Sequence, residues 1–303
     1  MSGLSAERLA PANGIELAYQ EVGERDAEPI LLIMGLGTQM LGYDEEFCVQ
    51  LAERGHRVVR FDNRDVGHST KIDATGMPGR MDMLRGRRST APYLLSDMAD
   101  DTFGLMDHLG IESAHLVGVS MGGMIAQTMA LERRERVRSL ASMLSTTGNR
   151  RLGWPTWRAF TAIMSSYPRG REAYEARALK IFGVIGSPGF PTNRSRIARI
   201  AGEMYERSHD PAGVVRQMHA ITASGDRTAA LRKLDLPTVV IHGAEDPLVR
   251  PAAGRATAKA IPGARLRMIE GMGHDLPREL WPTFIEEITA NAARAVRPAE
   301  QAA

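Results

Sequence analysis

The 303-residue chain is 43% hydrophobic, enough for one large α/β domain or a core domain with an insertion. Its 38 basic and 36 acidic residues leave a net charge of +2, which argues against an electrostatic binder of nucleic acid or of a membrane surface. Cys48 is the lone cysteine, no apolar run is long enough to span a bilayer, and the first residues lack the pattern of a signal peptide, so a cytoplasmic location is expected.

Residues 15–22 alternate apolar with polar and predict an edge strand. Residues 29–34, Pro-Ile-Leu-Leu-Ile-Met, are continuously apolar up to Gly35, as in a strand buried on both faces. A helix is expected over 45–54, with Cys48 as a small core residue, and a strand over 57–62. Residues 67–92 are polar, Gly- and Arg-rich, with no core element. Arg80, Arg85, Arg87 and Arg88 in this stretch read as solvated loop residues. Then come an amphipathic helix over 95–109, a strand over 115–119, a helix over 122–131 and a strand over 137–145.

The alternation breaks after residue 146. Residues 147–224 carry helix patterns with Pro-Gly punctuation, and they hold eight of the 16 aromatic residues. Those rings can build a small helical core or line an apolar pocket. The alternation resumes with a strand over 237–243, a helix over 252–260, a strand over 264–270 and a helix over 281–293, before a tail from 294. The fold class expected is α/β: a mostly parallel central sheet with helices on both faces. Residues 1–146 and 226–303 form the core domain. Residues 147–225 form a helical cap inserted over the carboxyl ends of the strands, where open α/β sheets bind ligands.

The chemistry centres on Gly118-Val-Ser-Met-Gly-Gly123, which lies between a predicted strand and a predicted helix. A strand-to-helix turn this tight puts Ser120 in a strained conformation, with Gly118 and Gly122 where larger side chains would collide. A serine needs a base to accept its proton, and the base needs an orienting acid. Asp246 stands in the turn after the strand at 237–243, and His274 in a Gly-rich loop after the last strand. Their competitors are Glu245 and Asp275. The order Ser120, Asp246, His274 is that of nucleophile-elbow hydrolases. An oxyanion would take one donor from the Met121 N–H and a second from Leu36, with Gly35 as the competitor. None of the eight histidines forms a metal motif, and no phosphate-binding loop follows a strand, so neither metal nor cofactor is expected.

With these motifs in place, nearly the whole chain resembles the α/β-hydrolase fold family, in its serine esterase branch. Residues 61–69, Phe-Asp-Asn-Arg-Asp-Val-Gly-His-Ser, resemble the family's D-x-R-G-x-G-x-S stretch, with Asp65 in place of the usual glycine. Asp62 and Arg64 read as structural. Met34-Gly35, the stretch 63–70 and Gly-Met-Gly-His-Asp-Leu-Pro at 271–277 are similar to antibiotic-tailoring ester hydrolases of that family. The resemblance implies a carboxylesterase-like enzyme acting on a small-to-medium, largely apolar ester. Lactone hydrolysis, cofactor-free perhydrolysis, C–C bond hydrolysis and acyl transfer use the same groups, and a ligand receptor on this fold is the non-catalytic alternative. The expected partner is a small molecule, with no nucleic acid and no membrane. Oligomeric state is not encoded in any motif.

Overall fold

The computed structural model describes residues 3–73 and 90–295, so Arg80, Arg85, Arg87 and Arg88 lie outside the described residues. Among the described residues the strands are β1 (Arg8–Ala12), β2 (Ile15–Val22), β3 (Glu28–Ile33), β4 (His56–Phe61), β5 (Ala114–Val119), β6 (Val137–Met143), β7 (Thr238–Gly243) and β8 (Arg265–Ile269). They make one sheet in the order β1-β2-β4-β3-β5-β6-β7-β8. β1 with β2 and β2 with β4 are antiparallel, and every other neighbouring pair is parallel.

The edge therefore belongs to β1, not to the strand over 15–22 that the alternating pattern placed there. β1 is short and contains Pro11, which removes a backbone donor and is tolerated at a sheet edge. The hairpin closes through Asn13 (φ 49°) and Gly14 (φ 78°), both left-handed, between the paired Ala12 and Ile15. That two-residue Asn-Gly turn matches the twist of the strands it joins.

The apolar run in β3 divides by the two-residue period of a strand. Ile30 and Leu32 face one layer, made by α1 (Glu45–Ala52) and α10 (Trp281–Ala292), where they meet Phe47, Leu51 and Phe284. Leu31 and Ile33 face the other, made by α2 (Leu95–His108) and α3 (Met121–Glu132), where they meet Phe103, Ile125 and Met129. All four β3 side chains are fully buried, worth roughly 1.5–3 kcal/mol each in transfer from water. α1 begins where the Asp44 carboxylate accepts the Glu46 N–H. Cys48 is buried in this helix, and burial pushes its thiol up to about 12.

Between β6 and β7 the described chain is helical: α4 (Trp157–Ile163), α5 (Arg171–Ile185), α6 (Arg194–Arg207), α7 (Pro211–Ser224) and α8 (Thr228–Leu231). Ala159, Ala162, Ile181 and Ile185 form a small core of their own. Polar contacts fasten these helices to the sheet loops. Arg207 Nη2 lies 2.9 Å from Asp62 Oδ2, Arg216 pairs with Asp65, and Gln39 Nε2 donates to the Met204 carbonyl at 2.7 Å. Among the described residues no helix is long and apolar enough to cross a membrane.

The strand order reverses about β3. The chain leaves β3 toward β4 on one side, and leaves β5 toward β6 on the other. The loops after β3 and β5 consequently part, opening a crevice at the carboxyl ends of the strands.

Candidate active site

Ser120 ends β5 and starts α3 with φ 55° and ψ −117°, a region L-residues rarely occupy. The turn is held by the Ser120 N–H on the Met143 carbonyl at 2.8 Å and by Ser145 Oγ on the Ser120 carbonyl at 2.7 Å. Glycine is required on both sides. A Cβ on Gly118 would stand 2.3 Å from the Gly122 carbonyl oxygen, and one on Gly122 would stand 2.0 Å from the Ile33 carbonyl oxygen. Gly35, in the loop after β3, lies against the serine: a Cβ there would be 3.2 Å from Ser120 Cβ and 3.9 Å from its Oγ.

Asp246 and His274 come together from the loops after β7 and β8. His274 Nδ1 lies 2.7 Å from Asp246 Oδ2, with both side chains buried. Asp246 Oδ1 accepts the N–H groups of Leu248 (2.8 Å) and Val249 (2.9 Å), which fixes the carboxylate. A carboxylate fixed in this way orients the imidazole so that Nδ1 carries the proton and Nε2 keeps a lone pair. Glu245 is exposed, and Asp275 takes its hydrogen bond from Ser187 Oγ while burial pushes its carboxyl pKa up.

A second histidine stands near the same carboxylate. His242 Nε2 is 3.6 Å from Asp246 Oδ2 but only 2.7 Å from the Val249 carbonyl, to which it donates. Burial pushes its pKa down, against the pull of Asp246. Nothing in the segment Ile-His-Gly-Ala-Glu-Asp marked this residue, because its proximity arises from the strand end folding back on its own turn.

The His274 loop is gripped by the end of α5. The His274 N–H donates to the Ile185 carbonyl at 2.6 Å, and the Gly273 N–H to Ser187 Oγ at 2.9 Å. A Cβ on Gly273 would press to 2.4 Å from the Gly186 carbonyl oxygen.

In the loop after β3, the Gly37 N–H is taken by Gln217 Oε1 at 2.8 Å, and the Gly35 carbonyl accepts the Thr38 N–H at 3.2 Å. Among the described residues, the N–H groups of Met121 and Leu36 have no acceptor. Gln217 is fully buried on α7, and its Nε2 donates to the Arg64 carbonyl at 2.7 Å. It reads in sequence only as a polar residue interrupting the stripe Val214, Val215, Met218, Ile221.

Asp62 and Arg64 serve the loop after β4. Asp62 Oδ1 accepts the Met40 N–H at 2.7 Å, and Arg64 forms a two-bond pair with the buried Asp101 at 2.5 and 2.6 Å. Tyr167, Tyr174, Tyr205 and His209 cluster, with Tyr205 and His209 rings 4.9 Å apart. Tyr167, Tyr174, His209 and Val214 border a void of about 20 Å³ that also touches Gly37. A separate open cavity of about 580 Å³, lined by Arg8, Glu21, Arg57 and His108 among others, shares no residue with the elbow. No group of three His, Cys, Asp or Glu side chains converges among the described residues.

Comparison with known proteins matches this arrangement to one family. Residues 28–277 fit the family described as the alpha/beta hydrolase fold. The chain is 28% identical to a rhodomycin D methylesterase from Streptomyces sp. (strain C5), over 95% of this chain and 98% of that protein. Among solved structures it superposes on a meta-cleavage product hydrolase from Pseudomonas fluorescens IP01 with TM-score 0.75 at 21% identity, covering 95% and 98% of the two chains. The enol-lactonase from Burkholderia xenovorans LB400 superposes with TM-score 0.72 at 26% identity, covering 94% and 100%. The reversed strand order, the strained serine turn and a family match spanning residues 28–277 together make this chain a member of the α/β-hydrolase fold family.

Proposed function

We propose that this chain is a carboxylic ester hydrolase that works through Ser120, His274 and Asp246. The observation that carries the reading is the buried contact of Asp246 with His274 at 2.7 Å, on loops after strands beyond the one that ends in the strained Ser120. His274 Nε2 takes the proton from Ser120 as Oγ attacks the ester carbonyl. Asp246 stabilises the imidazolium that results. The N–H groups of Met121 and Leu36 hold the oxyanion in the tetrahedral intermediate. The C–O bond then breaks, and the imidazolium returns its proton to the departing alcohol. Water, deprotonated by the same nitrogen, attacks the acyl-enzyme and frees Ser120.

Residues 147–225 act as the cap over this site, and they set the acid part of the substrate. The aromatic cluster beside Gly37 favours an apolar, ring-containing or acyl group. Likeness to a methylesterase makes a small alcohol, methanol first, the leaving group to try. A lactone, whose alcohol stays tethered after the same acyl transfer, is the second substrate class, favoured by the likeness to an enol-lactonase.

The test is turnover of methyl esters and of p-nitrophenyl esters from acetate to octanoate, wild type beside Ser120→Ala. Turnover by the wild type that disappears in the variant supports the mechanism, and the best chain length sizes the pocket. A folded wild type that turns over neither ester series but opens lactones moves the reading to lactonase. Equal activity in wild type and Ser120→Ala overturns the serine mechanism.

A further inference from the structure

The near-zero net charge of the chain hides a local imbalance. Residues 148–171 contain five arginines and no aspartate or glutamate. Arg151, Arg158 and Arg169 are exposed, and among the described residues none of them pairs with a carboxylate. Arg171, by contrast, is bound to Glu175 and Glu206.

The same stretch concentrates exposed apolar surface. Six large apolar residues are exposed among the described residues, and four of them lie here: Leu152 (37%), Trp154 (50%), Trp157 (76%) and Met164 (47%). Scattered single residues of this kind are ordinary, but clustering marks a contact surface. The face is also packed within itself. Phe160 stacks between the two tryptophans, with ring centroids 6.5 Å from Trp154 and 5.9 Å from Trp157 and interplanar angles of 22° and 28°. α4 turns its opposite side, Ala159 and Ala162, onto Ile181 and Ile185 of α5. Trp157, Thr161 and Met164, at helical spacing, are left facing outward.

We propose that residues 151–164 form a docking surface for an anionic lipid bilayer, on which the protein sits peripherally. Tryptophan suits this boundary, because its ring is apolar and its N–H can stay among headgroups. Arg151 and Arg158 reach lipid phosphates while their stems lie along the apolar layer. A second copy of the chain fits the surface poorly. A two-fold contact would bring Arg151 and Arg158 against like charge, with no acidic residue in the segment to answer them. Docking would also place the candidate site close to the bilayer. The Thr156 N–H that begins α4 donates to the carbonyl of Pro247, next to Asp246, at 2.8 Å.

The experiment is co-sedimentation of the full chain with phosphatidylcholine vesicles, with and without phosphatidylglycerol, at low and high salt. Tryptophan emission is read in the same samples. Trp281 is only 3% exposed, so a shift reports Trp154 and Trp157. Binding that requires phosphatidylglycerol, weakens with salt and shifts emission to the blue is the expected result. Trp154→Ala with Trp157→Ala, and separately Arg151→Gln with Arg158→Gln, should each weaken it by about tenfold or more. Arg151 and Arg158 are exposed and make no ion pair among the described residues, so the thermal midpoint of the arginine variant should not move; the tryptophan variant loses its stacking on Phe160 and is compared below its own midpoint. No binding to phosphatidylglycerol vesicles, or binding that survives the tryptophan changes, overturns the proposal. A concentration-dependent dimer lost in Trp157→Ala would overturn it in favour of self-association. The readout is binding, so it stands or falls independently of the hydrolase reading.

Discussion

Asp65 and Arg216 form a buried two-bond ion pair between the loop after β4 and helix α7: Nε to Oδ2 at 2.9 Å and Nη2 to Oδ1 at 2.7 Å. The aspartate is fully buried with φ 72°, and it also accepts Tyr93 Oη at 2.5 Å and the Ile72 N–H at 2.8 Å. It occupies the motif position that glycine fills elsewhere in the family, and the left-handed backbone accounts for that glycine. Here the strain is offset by a carboxylate that ties the helical segment to the sheet.

Two opposed effects therefore meet in Asp65→Gly. Relief of the left-handed conformation favours the variant by about 1 kcal/mol. Loss of the carboxylate leaves Arg216 and Tyr93 without their partner, and breaking a buried pair this way costs about 3–5 kcal/mol. The second effect wins, so urea unfolding should put Asp65→Gly below wild type by about 2–4 kcal/mol. A variant as stable as wild type would mean the pair contributes no more than the strain it offsets.

At the elbow the balance runs the other way. Ser120→Gly removes a side chain from a left-handed position and should raise stability by about 1–2 kcal/mol while abolishing turnover. Ser120→Ala keeps its Cβ in the strained conformation, so its urea midpoint should stay near wild type. Gly122→Ala must displace the Ile33 carbonyl, 2.0 Å from the new Cβ, and should fail to give soluble folded protein. Equal midpoints for Ser120→Gly and wild type would show the turn to be unstrained.

These contrasts separate what could be read in the sequence from what could not. The strand and helix runs were legible to within a few residues, because burial on two faces writes a local pattern: β3 carries Ile30-Leu-Leu-Ile33 and β7 carries Val239-Val-Ile241. Ser120, Asp246 and His274 were legible as residue types at strand ends. β1 escaped because its five residues carry little apolar pattern and include Pro11, although Asn13-Gly14 is a strong hairpin signal. Gln217 and His242 escaped because their partners, Gly37 and Val249, meet them only through tertiary folding. The aromatic enrichment after residue 146 suggested core or pocket. Trp154 and Trp157 are exposed, and nothing in their sequence context distinguishes them from buried Trp281.

Gln217 supplies a test of how far the helical segment controls the loop proposed to hold the oxyanion. Its Oε1 on the Gly37 N–H holds the turn that presents Leu36. Gln217→Leu frees that turn, and a misplaced donor costs roughly 10–100-fold in kcat with a smaller change in KM. Gln217→Glu keeps an acceptor for Gly37 but loses the donor to the Arg64 carbonyl, so it should retain more of kcat than Gln217→Leu. Equal losses in both variants, tracking their stability, would reduce Gln217 to a packing residue.

His115 ties stability to acid through the far end of β5. Its ring is buried, with Nδ1 2.8 Å from Ser139 Oγ and Nε2 3.5 Å from Glu28 Oε2. Burial lowers its pKa to about 4; Glu28 opposes the shift, while His56 and Arg138 reinforce it. His56, whose ring centroid is 5.9 Å away, is also lowered, chiefly by burial. In the unfolded chain each imidazole titrates near 6.5, so between that value and about 4 the unfolded state binds a proton that native His115 refuses. Stability is therefore full above pH 6.5 and falls as pH drops through this window. His115→Gln removes the imidazole, so its stability should fall less steeply between pH 7 and pH 4.5, with His56 supplying the remaining slope. Urea midpoints across that range, at constant m, read the difference, and parallel curves for wild type and variant would place the acid sensitivity elsewhere in the fold.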